Sequence, residues 1–290
     1  MKHRTLNLRM RIASLALLAG ASVAVSSAAQ AEEKGTINLA YVEWSSEVAS
    51  TNVIAAALEQ AGYEVDLTSL SAAAMFQALS SGDADAIVAA WLPTTHADYM
   101  ERLGDNIVDL GVNLDGTTLG LVVPEYSDVD SIADLNENAD RFNGEIIGID
   151  PGAGLMSLTE EVVDTYDLDL RLRSGSGATM TAALSSAINN EEDIVVTGWT
   201  PHWMFARFDL KYLDDPENVY GGAEQIHTVV RQGLEDDMPE AFAILDAFEW
   251  TPEQMGEVML MNQEEGSDPY ENAKQWVEDN QDVVEQWLKS

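Results

Sequence analysis

The sequence contains no cysteine and few basic residues. Without cysteine the chain forms no disulfide, and a thiol nucleophile or a thiolate metal site is excluded. Only 14 lysines and arginines stand against 51 aspartates and glutamates, which gives a formal net charge of −37. So acidic a surface repels polyanions, which argues against nucleic acid and anionic membranes as partners. Beyond the first thirty residues, no apolar run approaches the length that a membrane span needs.

Familiar catalytic motifs are also missing from the sequence. The chain has no Gly-x-Ser-x-Gly and no His-Glu-x-x-His motif, and neither His202 nor His227 has metal-ligand spacing with another histidine. Residues 134–145 resemble a calcium loop, but they lack glycine at its sixth position, and a strand rather than a helix is predicted to follow. We interpret this stretch as part of a capped polar helix, predicted over residues 131–142, that precedes the strand. The prediction is a binding protein without enzymatic activity, cofactor or metal.

The amino-terminal segment has the pattern of a secretory signal peptide. Four basic residues precede an apolar run over residues 12–25, and Ala29-Gln30-Ala31 forms a small-x-small cleavage site. We therefore predict a signal peptide over residues 1–31 and a periplasmic mature protein, with a retained anchor helix as the alternative. No cysteine lies near the cleavage site, so no lipid anchor is expected.

The acidic residues are spread along the chain rather than massed in one tail. Disorder is therefore a poor explanation for them. A solvated surface of a protein that works in high salt is the better one, because salt screens the repulsion among like charges. The sequence thus predicts a halophilic protein.

Two apolar segments share one design, a buried strand that ends in Trp-x-Pro. They occupy residues 85–93 and 194–201. Proline cannot continue the ladder of a central strand, so Trp91 and Trp199 lie at the carboxyl ends of strands, where open α/β sheets bind ligands. The segments before them also resemble each other: residues 72–81 and 177–186. Such a repeat indicates two similar lobes with the two tryptophans facing one cleft.

The order of the predicted elements agrees with two α/β lobes. Strands at 36–41, 64–67 and 86–90 alternate with two helices, an order typical of a doubly wound and mostly parallel sheet. Ser46 is the predicted N-cap of the first of these helices. A second copy follows over residues 145–199, with a helix that begins at about residue 156.

The lobes are predicted to be discontinuous in sequence. Lobe I comprises residues 32–118 plus 228–290, and lobe II comprises residues 119–227. Two crossover strands, at 117–123 and 226–230, would connect them as a hinge. The helical carboxyl-terminal part is predicted to pack on lobe I.

Three tryptophans fall at topologically matching turns. Trp44 follows the first strand, as Trp91 and Trp199 follow theirs. Indole faces are electron-rich, so a cage of three suits a quaternary ammonium, which cannot donate hydrogen bonds to carboxylates. The other tryptophans lie in helical or irregular segments and are interpreted as packing residues: Trp203, Trp250, Trp276 and Trp287.

A possible anion site follows the fifth predicted strand. Gly152-x-Gly154 lies between a strand and a helix, where free backbone amides suit an anion. A carboxylate fits better than a polyphosphate, because the sequence matches neither a P-loop nor a dinucleotide fingerprint. A plain tight turn is the alternative. His96, five residues after Trp91, could donate a hydrogen bond to the same carboxylate or could be a simple surface histidine.

Four segments closely resemble the glycine betaine-binding proteins of ABC osmolyte importers, the OpuAC type: residues 41–47, 90–96, 148–158 and 197–205. The resemblance implies a two-lobed periplasmic-binding-protein fold of type II. In that family a tryptophan prism holds the trimethylammonium, which implies Trp44, Trp91 and Trp199 here. It also implies that the ligand carboxylate takes the backbone amides of Gly154 and Leu155 and the side chain of His96.

The resemblance further implies the partners. The ligand would be glycine betaine or a related zwitterion such as proline betaine or dimethylsulfoniopropionate, and the protein partner would be the permease of an ABC importer. We expect a monomer without stable membrane insertion. Two alternatives remain open, a secreted betaine-processing enzyme that uses the same cage and a calcium-dependent structural protein.

Overall fold

The computed structural model describes residues 34–290, which form a mixed α/β fold. The predicted signal peptide lies outside the described residues. In the first half of the chain, each of the first three strands is followed by an α-helix that leads to the next strand of the sheet. The strands are β1 (Thr36–Tyr41), β2 (Glu64–Ser69), β3 (Ala86–Leu92), β4 (Ile107–Pro124), β5 (Glu145–Ile147), β6 (Arg171–Arg173), β7 (Val196–Thr200), β8 (Leu210–Tyr212) and β9 (Glu224–Arg231).

The helices alternate with the strands until β7 and then dominate the carboxyl-terminal part. They are α1 (Ser45–Gln60), α2 (Ala72–Ser81), α3 (Ala97–Leu103), α4 (Gly154–Thr165), α5 (Gly177–Asn189), α6 (Trp203–Arg207), α7 (Leu234–Asp237), α8 (Pro239–Asp246), α9 (Pro252–Met261), α10 (Pro269–Asp279) and α11 (Gln281–Leu288). Among residues 34–290, no helix is both long enough and apolar enough to cross a bilayer.

The strands form two parallel groups joined by two antiparallel strands. The order is β2-β1-β3-β9-β4-β7-β5-β6, with β8 beside β4. β1 runs parallel to β2 and β3, and β5 runs parallel to β6 and β7. β4 and β9 pair antiparallel with each other and link the groups. The predicted α/β architecture with two mostly parallel sheets and crossover strands is confirmed.

Strand β4 is longer than predicted. It spans 18 residues, whereas the apolar pattern predicted residues 117–123 alone. Its first part pairs with β9 through three register shifts, and its last part pairs with β7 and β8. The pattern missed the first part because Gly111 and Gly116, both at positive φ, interrupt the apolar alternation. The predicted lobe boundaries fall inside β4 and β9 and stay a prediction.

The predicted polar helix over residues 131–142 is instead two short 3₁₀ helices, Ile132–Asp134 and Asn136–Phe142. The acidic side chain at the end of this stretch, Glu145, pairs with Arg171 and Arg173. Within residues 34–290 no group of three histidine or acidic side chains is arranged to hold a metal. The calcium alternative therefore has no geometric support in the described part of the chain.

The carboxyl-terminal helices bury the tryptophans that were interpreted as packing residues. Trp276 lies 5.9 Å from Trp250 and 6.3 Å from Trp287, measured between ring centroids. All three rings are less than 5% exposed. Aromatic pairs at this spacing stabilise a core beyond their buried area, by about 0.5–1.5 kcal/mol per pair. Trp203, also buried, donates its indole N–H to Ser45 Oγ at 3.1 Å.

Candidate functional site

One cavity is lined by all six residues that the sequence analysis predicted to bind a ligand. About 330 Å³ of space not filled by protein atoms lies within it, including the part of its mouth that is open to solvent. Its walls come from the carboxyl ends of β1, β3 and β7 and from the segment after β5. The predicted residues in its lining are Trp44, Trp91, His96, Gly154, Leu155 and Trp199. Five further lining residues were not predicted: Ser46, Thr95, Leu119, Ile149 and Ala153.

The three tryptophans are almost fully buried in this wall, with exposed fractions of 7% for Trp44, 5% for Trp91 and 4% for Trp199. Trp44 Nε1 donates to Asp150 Oδ2 at 3.1 Å, and Trp199 Nε1 donates to Ser46 Oγ at 3.1 Å. Both indole N–H groups therefore have protein partners. What these rings can offer a ligand is their apolar, electron-rich surface.

Ser46 does not cap helix α1 as predicted. The helix begins at Ser45 and Trp44 takes the N-cap position, two residues earlier than predicted. The Ser46 hydroxyl instead accepts the hydrogen bond from Trp199, which lies 153 residues away in the sequence. A residue type that favours N-caps thus fixes the ring of a cavity tryptophan.

His96 is buried in the cavity wall with an exposed fraction of 1%. Its Nδ1 accepts the backbone N–H of Trp91 at 3.0 Å. Burial lowers the pKa of His96 to about 4, so the ring is neutral at pH 7 and its proton is on Nε2. Nε2 finds no acceptor among residues 34–290. An unpaired buried donor costs about 1–3 kcal/mol, so this N–H is a strong candidate for a ligand contact.

The helix that follows β5 begins at the cavity. Helix α4 starts at Gly154, two residues earlier than predicted, after an N-cap residue, Ala153, whose side chain cannot accept a hydrogen bond. The first amides of a helix have no partner within the helix and attract negative charge. A Cβ built on Gly154 would lie 2.1 Å from the carbonyl oxygen of Thr95. Glycine is therefore required where these two backbones meet.

Asp150 places a carboxylate beside the rim of the cavity through its hydrogen bond with Trp44. For the methylated cation that the resemblance implies, we expect Asp150→Asn to weaken binding by about threefold to tenfold, because the substitution removes a negative charge beside the ring that would contact the cation. Calorimetry checks this with glycine betaine and with its isostere 3,3-dimethylbutanoate, which keeps the carboxylate but has carbon in place of the cationic nitrogen. The isostere should lose little affinity. Asp128→Asn, at a side chain 91% exposed, is the control, and equal losses for both ligands would contradict the prediction.

His202, next to Trp199, predicts a pH dependence of stability. Burial lowers its pKa to about 3 from 6.5, while Nδ1 accepts the backbone N–H of Met204. Because the unfolded chain binds the proton more tightly, stability is full above about pH 6.5 and falls as pH drops. The contribution of His202 to the loss between neutral pH and pH 5 should be about 2 kcal/mol, and His96 adds a loss of its own because burial also lowers its pKa.

Chemical denaturation as a function of pH measures this loss. His202→Asn keeps a side chain that can cap helix α6 but removes the titrating group. We expect the variant to show a flatter pH profile between pH 7 and 5 than the parent protein. Profiles of identical slope would rule out His202 as the source.

The amino-acid sequence matches the family described as the substrate binding domain of ABC-type glycine betaine transport systems, over residues 35–279. The chain belongs to this family. Among curated proteins it is similar to the glycine betaine/carnitine transport binding protein GbuC of Listeria monocytogenes, with 51% identity over 161 residues. That alignment covers 54% of this chain and 52% of the Listeria protein, about half the length of each.

Two solved structures extend the similarity to nearly the whole fold. Lactococcal OpuAC, in its closed-liganded conformation with glycine betaine, is 44% identical with a TM-score of 0.84 and is matched over 88% of this chain and 99% of its own. An ABC-transporter choline binding protein in complex with choline is 28% identical with a TM-score of 0.81, over 88% and 91% of the two chains. The predicted type II substrate-binding fold is confirmed.

Proposed function

We propose that this protein captures glycine betaine, or a closely related zwitterion such as proline betaine or dimethylsulfoniopropionate, and delivers it to the permease of an ABC importer. Trp44, Trp91 and Trp199 hold the methylated cation. The Nε2–H of His96 and the backbone amides of Gly154 and Leu155 hold the carboxylate. The protein acts as an extracytoplasmic monomer that is exported by its predicted signal peptide.

The observation that carries the proposal is the pairing of two unlike surfaces in one cavity. Three tryptophan rings supply aromatic area, and a buried, unpaired imidazole N–H lies beside an uncapped helix N-terminus. A quaternary ammonium gains roughly 0.5–2 kcal/mol from each desolvated aromatic contact. A carboxylate supplies the acceptor that the imidazole and the amides need.

A choline carrier is the second candidate, since one similar structure holds choline. Choline has the quaternary ammonium but no carboxylate, so it would leave the His96 donor and the helix amides unpaired. We expect it to bind much more weakly than glycine betaine. Free glycine lacks the methyl groups and should also bind weakly, because its ammonium would lose water without gaining hydrogen bonds.

Isothermal titration calorimetry with glycine betaine, proline betaine, dimethylsulfoniopropionate, choline and glycine tests the assignment. Tight binding of the zwitterions and weak binding of the other two would support it. The proposed contacts of His96, Gly154 and Leu155 with the ligand carboxylate form a carboxylate clamp. Choline binding as tightly as glycine betaine would overturn this clamp. Following glycine betaine by NMR during incubation tests the enzyme alternative, because turnover without a transporter would refute the carrier function.

The acidic composition predicts that stability rises from low to molar salt. Screening weakens repulsion among the excess carboxylates, and the Debye length falls from roughly 10 Å at 0.1 M to 3 Å at 1 M. Thermal unfolding followed by circular dichroism in sodium chloride measures this. Because kosmotropic salts also strengthen burial, chloride rather than sulfate is used. A Tm that falls over this range would contradict adaptation to salt.

A further inference from the structure

Glu224 is a buried carboxylate that reaches the loop between Trp91 and His96. It is the first residue of β9 and is 1% exposed. Its Oε1 accepts the backbone N–H of Thr94 at 2.5 Å and that of Thr95 at 2.8 Å. Its Oε2 accepts the hydroxyl of Thr95. One carboxylate thus holds three donors of a segment that lies about 130 residues away in sequence.

The loop that Glu224 holds is also closed at its base. The backbone N–H of His96 donates to the carbonyl of Trp91 at 2.9 Å. In return, the backbone N–H of Trp91 donates to His96 Nδ1 at 3.0 Å. These two bonds fix the ends of the loop but leave its tip free. Glu224 supplies the contacts at the tip, from outside the loop.

The tip of the loop adjoins both parts of the proposed carboxylate clamp, which are His96 and the start of α4. Thr95 immediately precedes His96, and its carbonyl oxygen lies against Gly154 at the start of α4. A change in the direction of the Thr95 backbone would therefore turn the imidazole and shift the contact with α4. Glu224 itself is absent from the cavity lining. Its contact with a ligand is therefore indirect and passes through the loop.

We propose that Glu224 is a positioning residue that aims the His96 donor and seats Thr95 against α4, and thereby sets the preference for ligands that carry a carboxylate. The ligand in this inference, glycine betaine, is taken from the proposed function. Glu224 also connects the loop to the sheet. Glu224 pairs with Thr117 of β4, so the carboxylate also ties the loop to the two strands that link the parallel groups.

The chemistry of the three bonds predicts which replacements are tolerated. Glutamine has the same length, its carbonyl oxygen can accept both backbone N–H groups, and its amide can donate to the Thr95 hydroxyl. Aspartate keeps the charge but is one methylene shorter and cannot reach all three donors. Alanine removes the acceptor from all three partly buried donors. Affinity for a ligand that carries a carboxylate should therefore be highest with glutamate at position 224, slightly lower with glutamine, and lowest with aspartate or alanine.

Calorimetry on the full chain with two ligands separates positioning from folding. For E224A and E224D we expect glycine betaine affinity to fall about tenfold or more, with choline affinity changed less than about threefold, because choline does not use the clamp. E224Q should lie close to the parent protein. Glu145→Ala, which removes a carboxylate paired with Arg171 and Arg173 outside the cavity, is the control. Equal losses for both ligands, or no loss, would overturn the proposal.

NMR of the His96 ring provides a readout that needs no ligand. In the parent protein the ring should be the neutral Nε2–H tautomer down to about pH 4. E224D keeps the negative charge but shortens the side chain. In this variant the His96 ring should show a mixture of tautomers, and its pKa should lie closer to that of an ordinary histidine. An unchanged tautomer and titration in both E224D and E224A would overturn the positioning role even if no betaine bound. A parent protein that failed to bind glycine betaine would instead overturn the proposed function alone.

Discussion

Gly154→Ala should lower the affinity for glycine betaine by about 100-fold or more while leaving the ligand-free protein folded. The added Cβ would lie 2.1 Å from the Thr95 carbonyl oxygen and 2.6 Å from its Cγ2. Gly154 is the first residue of α4, a position that alanine adopts without strain. The clash therefore arises where α4 meets the loop after β3. Glu224 holds Thr95 through its backbone N–H and its hydroxyl, so the Thr95 carbonyl cannot easily give way. The approach of the two segments would therefore be blocked.

Calorimetry and thermal unfolding together measure this effect. Gly256→Ala is a matched control, because Gly256 lies within α9 and no described atom lies within 4 Å of a Cβ built there. It should leave affinity unchanged and raise stability slightly, since alanine favours a helix interior. Wild-type affinity in Gly154→Ala would show that the Thr95–Gly154 contact is not needed for binding.

Replacing Trp44, Trp91 or Trp199 with alanine should weaken glycine betaine binding by about 1–3 kcal/mol each, through lost cation–π attraction and lost burial. Leucine at the same positions keeps part of the burial and removes the π face. Comparing alanine with leucine variants therefore separates the two contributions. The leucine variants should bind 3,3-dimethylbutanoate better, relative to glycine betaine, than the parent protein does.

Trp276→Ala is the control for these variants. This ring belongs to the aromatic cluster of the carboxyl-terminal helices, where its neighbours are Trp250 and Trp287. Its loss should lower Tm by leaving a cavity in the core, with affinity unchanged. If Trp276→Ala weakened binding as much as Trp91→Ala, the aromatic cage would be wrong.

Most of the cavity lining could be predicted from the sequence, because its signals are local. Trp91 and Trp199 lie near the carboxyl ends of their strands, and Trp44 follows β1 closely. The β-branched apolar runs that end in Trp-x-Pro predict both β3 and β7 and the points at which they end. The fold class and the family follow from the same segments, and both predictions are confirmed. The roles assigned to Trp44, Trp91, Trp199, His96, Gly154 and Leu155 stay predictions, although the structure brings all six to one cavity.

The sequence pattern was less informative where polar residues or glycines interrupt an element. The long strand β4 was predicted over its apolar end alone, and the region 131–142 was given one helix where two 3₁₀ helices occur. Hydrophobic periodicity reports which side chains face a core, so it says little about bulged strands whose register shifts.

The sequence by itself determined the apolar strands beside the cavity, the aromatic turns and the segment that supplies free helix amides. Only the tertiary structure decided which polar groups hold them in place. Ser46 meets Trp199 across 153 residues, Asp150 meets Trp44 across 106, and Glu224 meets Thr94 across 130. A serine, aspartate or glutamate has the same local signature on a solvated surface as in a buried network. Its partner depends on how distant strands are ordered in the sheet, and that order comes from burying apolar surface over the whole chain.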